Sequence, residues 1–339
     1  MFSQSQLLDS FNRVHDYLRV SITGKCNFNC TYCNPQGEKS GVEHITSNEE
    51  NLEIKNLHRL LSIFIERGGI RKIRITGGEP LLRNDLDQIL SPLKEWKKKF
   101  PLTLALSTNG SLLEKNIPTL INNQIEFLNI SIDSLNRRRF KEITGRDNLE
   151  KVLNGIEKAI IAGFKKIKLN AVYMQGINEI DCIELVDRFQ DQVVDIRFIE
   201  YMPIGINDWK RTHFAPYIQL ENSLRERFTL IPEENLESET SKNFTILGKN
   251  SRVSFISPMS EHFCDSCNRL RLTASGKLRL CLFSPLHDEL DLAQLIEQGF
   301  TDEEIFLKIQ KYLPTKWLKH PPMDELAKMK TAPMVSLGG

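Results

Sequence analysis

Cys26, Cys30 and Cys33 stand at the spacing C-x3-C-x2-C. Three thiolates this close in sequence can wrap one face of an iron–sulfur cluster. Three ligands on a four-iron cube leave one iron open, and an open metal position is where a bound molecule can be activated. The same spacing also suits a zinc site completed by His15 or His44. Cys264, Cys267 and Cys281 form a second group, C-x2-C-x13-C, for which a zinc knuckle with His262 or His287 is the competing reading. Gly77-Gly78-Glu79-Pro80, taken alone, is an ordinary strand-to-helix turn. Cys182 stands apart from both groups and reads as a packed thiol.

The elements that must hold these residues follow a βα rhythm from Leu18 to Met202. Strands are predicted at 18–23, 71–76, 102–107, 127–132, 166–172 and 194–200, and helices at 49–67, 84–99, 111–122, 149–162 and 179–189. Alternating β and α implies parallel strands with right-handed crossovers. The strand faces are unequal. Lys72, Arg74 and Thr76 oppose Ile73 and Ile75; Thr103, Ala105 and Ser107 oppose Leu102, Leu104 and Leu106. Asn129, Ser131 and Asp133 oppose Leu128, Ile130 and Ile132; Lys166, Lys168 and Asn170 oppose Ile167 and Leu169. A parallel sheet covered on both faces would be apolar on both. One polar, positively charged face fits a ligand-holding interior, so the expected class is α/β, an incomplete (βα)6 TIM-type barrel. A sheet with one wet face is the alternative. After Gly205 the rhythm breaks. Residues 235–243 look loop-like, 244–283 carry short strand patterns, 291–312 look helical and 320–339 irregular. The expected division is a partial barrel over 1–234 and a C-terminal cluster- and substrate-binding region over 235–339.

The chain has 339 residues, 40% of them hydrophobic and 26% charged, enough to bury a core. Its net charge of +1 excludes a protein that is basic overall for nucleic acid, though not a local basic pocket. No apolar run approaches the ~18 residues of a membrane span, and Met1 to Leu18 shows no leader pattern. The expected location is cytoplasmic, where thiols stay reduced and clustered cysteines point to metal or catalysis.

Cys26-Asn27-Phe28-Asn29-Cys30-Thr31-Tyr32-Cys33, followed by Gly77-Gly78-Glu79-Pro80 after the second strand, resembles the radical S-adenosylmethionine (SAM) superfamily. The resemblance implies SAM bound on the open iron and cleaved reductively to a 5′-deoxyadenosyl radical. Protein side chains cannot take hydrogen from an unactivated carbon, so a cofactor must supply that radical. The second cysteine group, Arg269-Leu270-Arg271 and the terminal Gly338-Gly339 narrow the resemblance to the GTP 3′,8-cyclases, the molybdenum cofactor biosynthesis protein A family. It extends from about Tyr17 to the C-terminus. Gly24-Lys25 stands where the family usually has Asp two residues before the first Cys, and Asn34 where Met is common.

The resemblance implies a lyase with two [4Fe–4S] clusters that converts GTP to (8S)-3′,8-cyclo-7,8-dihydroguanosine 5′-triphosphate, the first step of molybdenum cofactor biosynthesis. Cys26, Cys30 and Cys33 would hold the SAM cluster, and Cys264, Cys267 and Cys281 a second one in the C-terminal extension. Tyr32, Gly78, Ser131 and Met202 would bind SAM, with Glu79 near its ammonium group. Arg19, Lys72, Arg74, Ser107, Lys168, Arg269 and Arg271 would bind GTP, with Gly338 and Gly339 reaching in from the tail. The implied partners are an electron donor and, downstream, cyclic pyranopterin monophosphate synthase; a homodimer stays open. The rival classes are a radical SAM peptide-modifying enzyme with an auxiliary cluster and a zinc-stabilised nucleic-acid-binding protein.

Overall fold

A computed structural model describes residues 6–33, 51–205, 207, 209–234 and 239–337. Twelve strands among them join one sheet: β1 (Tyr17–Ser21), β2 (Lys72–Thr76), β3 (Thr103–Thr108), β4 (Phe127–Ser131), β5 (Lys166–Tyr173), β6 (Asp195–Glu200), β7 (Leu230–Pro232), β8 (Ser241–Ile246), β9 (Arg252–Ile256), β10 (Arg269–Leu272), β11 (Lys277–Arg279) and β12 (Leu290–Asp291). Their order is β12-β11-β10-β1-β2-β3-β4-β5-β6-β9-β8-β7. Strands β1 to β6 are parallel neighbours in chain order, as the βα rhythm requires. The chain after Gly205 continues the sheet on both flanks: β10 pairs parallel with β1, and β9 parallel with β6.

The apolar strand face meets the helices. Leu18, Val20, Ile73, Leu104, Leu128, Ile130, Ile167 and Ile196 are almost wholly buried, each worth about 1.5–3 kcal/mol relative to exposure. Helix Leu86–Lys97 covers them with Leu86, Ile89, Leu90 and Leu93, one stripe at helical spacing. Helix Leu149–Ile161 does so with Val152, Ile156 and Ala159.

Several boundaries differ from the sequence reading, each for a local reason. The expected helix over 291–312 is two, Leu292–Glu297 and Asp302–Tyr312. Gly299, at φ 82°, ends the first turn region, and the Thr301–Glu304 capping box starts the next helix. Part of the predicted loop 235–243 is strand: β8 begins at Ser241. Its polar side chains are buried with partners, Arg197 Nη2 donating to Ser241 Oγ at 2.6 Å and Ser254 Oγ to Asn243 Oδ1 at 2.9 Å, so polarity hid the strand. Residues 235–238 lie outside the described residues. The predicted helix 49–67 is described from Ile54 and closes in a π-helical turn, Ile63–Arg67. Helices Arg137–Thr144 and Tyr217–Arg225 were not foreseen. The first is started by the Asn136 side chain, which accepts from Arg139 N–H, and stopped by left-handed Gly145. The tail expected to be irregular holds two short helices, Met323–Leu326 and Met334–Leu337. Among the described residues no helix is long and apolar enough to cross a membrane.

Candidate functional site

Parallel registry assembles the polar face into rows. Arg271, Arg19 and Arg74 are direct partners across β10, β1 and β2, and Arg269, Tyr17 and Lys72 form the adjoining row. Neighbouring strands lie about 4.8 Å apart, so the first row sets three guanidinium groups side by side and the second sets a cation on either side of Tyr17. Further along, Ser107, Asn129 and Lys168 align across β3, β4 and β5, and Ser131, Asn170 and Arg197 across β4, β5 and β6. All of these side chains line one cavity of about 510 Å³. Seven cations (Arg19, Lys72, Arg74, Lys168, Arg197, Arg269, Arg271) face it, with the carboxylates Asp16, Asp133, Glu200 and Glu239.

Those carboxylates have local partners. Glu200 accepts from Tyr217, Met259 and Ser260 backbone N–H groups at 2.9 Å each. Asp133 accepts from Val172 N–H at 2.8 Å and the Tyr32 hydroxyl at 2.9 Å. Asp16 accepts from Asn268 Nδ2 at 2.7 Å. The cations therefore press on one another. Burial, then Arg197, pushes Lys168 down to about 6. Burial likewise lowers Arg271 to about 9, with Arg19 adding to it, and Arg19 to about 10. Tyr17 sits among them, accepting from Arg74 Nε at 2.6 Å with Lys72 Nζ 4.7 Å from its ring centre. Burial alone would raise its phenol, but Arg74, Arg19 and Lys72 outweigh that and hold it at about 6. Such a surface favours a polyanion.

The first cysteine loop is pinned from both sides. Asn29 and Thr31 N–H donate to the Thr144 and Ile143 carbonyls at 2.8 and 2.9 Å, and Asn27 bonds to Asn109 and Ser111. Gly78 N–H donates to Thr23 O at 2.7 Å and Glu79 N–H to Lys25 O at 2.8 Å, so the GGEP turn is laced to the backbone leading into Cys26. A Cβ at Gly78 would fall 2.3 Å from Lys25 O and 3.0 Å from Val335 Cγ2, which is why glycine stands there. Thr23 Oγ1 accepts from Lys25 N–H at 3.1 Å within the loop where the family pattern has Asp. Glu79 is 0% exposed. It accepts from Leu81 N–H, Thr108 Oγ1 and Asn109 N–H, at 3.0, 2.8 and 2.6 Å, so its bonds tie β2 to the end of β3 instead of facing the cavity. Burial pushes Cys26 and Cys33 up to about 12 and raises Cys30 as well, so these thiols ionise only with a compensating cation.

The second group faces the cavity directly. Cys267 N–H donates to Cys264 O at 3.1 Å, forming a tight turn, and Cys281 follows β11. Burial raises Cys264 and Cys281. At Cys267 burial is outweighed by Lys316 and Arg269, and the thiol is held at about 7.

Of the residues expected from sequence, Arg19, Tyr32, Lys72, Arg74, Ser107, Ser131, Lys168, Met202, Arg269, Arg271, Cys264, Cys267 and Cys281 line this one cavity. Cys26, Cys30, Cys33 and Gly78 do not line it. The three cysteines are tied to it through Tyr32, which lies between Cys30 and Cys33 and reaches Asp133. Gly338, Gly339, Asn34 and His44 lie outside the described residues. Leu337, where the description ends, is 1% exposed, and its carbonyl accepts from Arg271 Nη1 at 3.4 Å. His15 packs 3.3 Å from Asp9, on the hairpin whose Arg13 grips Cys264, so it belongs with the second group and not the first. Cys182 is fully buried among apolar side chains. Sequence reasoning missed Arg197 and Tyr17, and placed Asn129 on the polar face without giving it a role. The alternation Asp195-Ile196-Arg197-Phe198 did carry a signal for Arg197.

The donor sets suit iron–sulfur clusters. Each offers three thiols, and Phe28 N–H and Lys316 Nζ already point at the Cys26 and Cys267 sulfurs, at 3.4 and 3.5 Å. Among the described residues no three His, Cys, Asp or Glu side chains converge on one ion position. Thiolates that each take a different iron of a cube need not converge.

The radical SAM superfamily profile matches residues 20–189, and one described as Molybdenum Cofactor Synthesis C matches 194–322. The Arabidopsis thaliana mitochondrial GTP 3′,8-cyclase is 38% identical, with 98% of this chain and 83% of that protein covered. The GTP 3′,8-cyclase of Thermodesulfovibrio yellowstonii is also 38% identical, covering 98% of this chain and 99% of that one. Against Mus musculus molybdenum cofactor biosynthesis protein 1, 38% identical, this chain spans about half the length, 51%. Among solved structures, Streptococcus suis SuiB aligns with a TM-score of 0.59 at 16% identity, covering 94% of this chain and 69% of that one, a likeness of fold.

Proposed function

This chain belongs to the GTP 3′,8-cyclase family of the radical SAM superfamily, and we propose that it converts GTP to (8S)-3′,8-cyclo-7,8-dihydroguanosine 5′-triphosphate. The observation that carries the reading is the cavity itself: rows of cations in register, with Tyr32 and Met202 among its lining and Cys264, Cys267 and Cys281 facing in beside Arg269 and Arg271. Membership implies a four-iron cluster and SAM, which together supply the 5′-deoxyadenosyl radical that takes hydrogen from ribose C3′.

The rest of the work falls to this chain's residues. Cys26, Cys30 and Cys33 would hold the first cluster. Tyr32, Gly78, Ser131 and Met202 would form the SAM side. Arg19, Arg74, Arg269 and Arg271 suit bidentate contacts to phosphate oxygens, Lys72 and Lys168 act as point charges, and Ser107 adds a hydroxyl. A bound triphosphate would supply counter-charge to Lys168 and Arg271, whose proton affinities are lowered first by burial and then by neighbouring arginines. Cys264, Cys267 and Cys281 would hold a second cluster facing the guanine. Gly338 and Gly339 would reach in past Leu337, whose neighbours Met334 and Val335 already touch the cavity and Gly78. The strands of the first 234 residues would curl as an incomplete (βα)6 barrel, with residues 235–339 carrying the second cluster and completing the substrate wall. Seven side chains converging on one cavity from adjacent strands support such curvature. We further place the enzyme in the cytoplasm, with cyclic pyranopterin monophosphate synthase consuming its product.

Anaerobic reconstitution tests the reading. About eight iron per chain, and an isomer of GTP formed together with 5′-deoxyadenosine when SAM and a reductant are supplied, are the expected results. Stoichiometric zinc with about four iron would remove the second cluster, and 5′-deoxyadenosine without a GTP isomer would remove the substrate.

A further inference from the structure

Lys316 is a lysine buried where no anion pairs with it in the usual way. It is 5% exposed. Its ammonium donates to Arg269 O at 2.9 Å and reaches Cys267 Sγ at 3.5 Å. Burial lowers its proton affinity, and the groups that work against this are sulfurs, Cys267 and Cys281, not carboxylates. A buried ammonium without a carboxylate is costly unless its charge answers another.

The surroundings fix it in place. The 3-10 turn Leu313–Thr315 follows helix Asp302–Tyr312 and delivers Lys316 to the underside of β10. One guanidinium, that of Arg13, then binds this segment to the cysteine turn. It donates to Cys264 O at 2.7 Å, Leu318 O at 2.8 Å and Trp317 O at 2.6 Å. Asp9, buried beneath it, holds Arg13 Nε at 2.6 Å. Cys264, Cys267 and Lys316 are thus parts of one rigid assembly, and the ammonium cannot simply swing away to solvent.

We propose that Lys316 is a positioning residue for the second cluster, its ammonium donating to the Cys267 sulfur and thereby raising that cluster's reduction potential. The inference rests on the second-cluster reading above. Hydrogen bonds to cluster sulfurs and nearby charge are established levers on such potentials. A positive charge beside the cluster stabilises the added electron, so its removal makes the second cluster harder to reduce.

Potentiometric EPR titration of the reconstituted holoenzyme decides it, comparing wild type with Lys316→Met and Lys316→Arg. For Lys316→Met, the reduction equilibrium of the second cluster should fall at least tenfold, about 59 mV for one electron. The first cluster should titrate as in wild type, which doubles as the folding control. Lys316→Arg, keeping the charge, should lie closer to wild type. A Lys316→Met protein with both clusters at wild-type potentials overturns the proposal. Should Lys316→Met fail to fold, wild type labelled with 15N-lysine still answers. Pulsed EPR of the reduced second cluster should show a 15N coupling, and its absence overturns the proposal. Wild type that binds only about four iron and shows one EPR signal is a distinct result: it overturns the second-cluster reading and this inference with it.

Discussion

Arg19 stands in register between Arg271 and Arg74, so its removal opens a gap in the middle of a cationic row. A charge-assisted contact to phosphate is worth roughly 1.5–3 kcal/mol. Arg19→Ala should therefore weaken GTP binding by about ten- to a hundredfold and leave SAM binding nearly unchanged, as two parallel titrations would reveal. Equal losses for both ligands would point to misfolding. Lys168 yields a second test. Its proton affinity, pushed down to about 6 by burial and Arg197, must rise when a polyanion binds. The sign follows: below pH 6 the side chain is already charged and contributes no proton uptake; above it, binding takes up a proton and affinity falls with rising pH. At pH 7.5, calorimetry in buffers of different ionisation enthalpy should detect more proton uptake by wild type than by Lys168→Met, and equal uptake would refute the assignment. Residue spacing alone announced the cysteines, because ligand geometry is local in sequence. Arg197 and Tyr17 escaped notice because their importance arises from registry between strands, which the residues of one strand do not show.

The strands β1 to β6 could be read from the sequence because each alternates an apolar face for the helices with a polar face for the cavity. The start of β8 resisted that reading, because Ser241 and Asn243 are buried and satisfied by Arg197 and Ser254. Arg269-Leu270-Arg271-Leu272 falls within the short strands expected over 244–283, but its parallel place beside β1 is a matter of registry. The turn after β2 carries the element-scale prediction. At Gly78 a methyl group would have to displace the Lys25 carbonyl, backbone that leads straight into Cys26. Overpacking of this kind costs about 1–3 kcal/mol, and here it would press on the backbone next to Cys26, a proposed cluster ligand. Gly78→Ala should lower 5′-deoxyadenosine release more than tenfold while the EPR signal of the second cluster persists. Release at the wild-type rate would show that the close approach is not needed.

Taken whole, the chain closes its own site from both directions. Its later residues supply β10–β12 beside β1 and β7–β9 beside β6, so the cationic wall made by Arg269 and Arg271 belongs to the same sheet as Arg19. A net charge of +1 gave no sign of this, since seven cations gathered in one cavity are balanced by carboxylates elsewhere. On the proposed reading, that gathering would let a nucleotide and SAM share one cavity. The decisive measurement is the fate of one hydrogen atom. GTP carrying deuterium at ribose C3′ is incubated anaerobically with the reconstituted enzyme, SAM and reductant, and the 5′-deoxyadenosine is weighed by mass spectrometry. The account predicts 5′-deoxyadenosine heavier by one mass unit with wild type, and unlabelled 5′-deoxyadenosine with no cyclised product from Cys264→Ala. Unlabelled 5′-deoxyadenosine from wild type would contradict it.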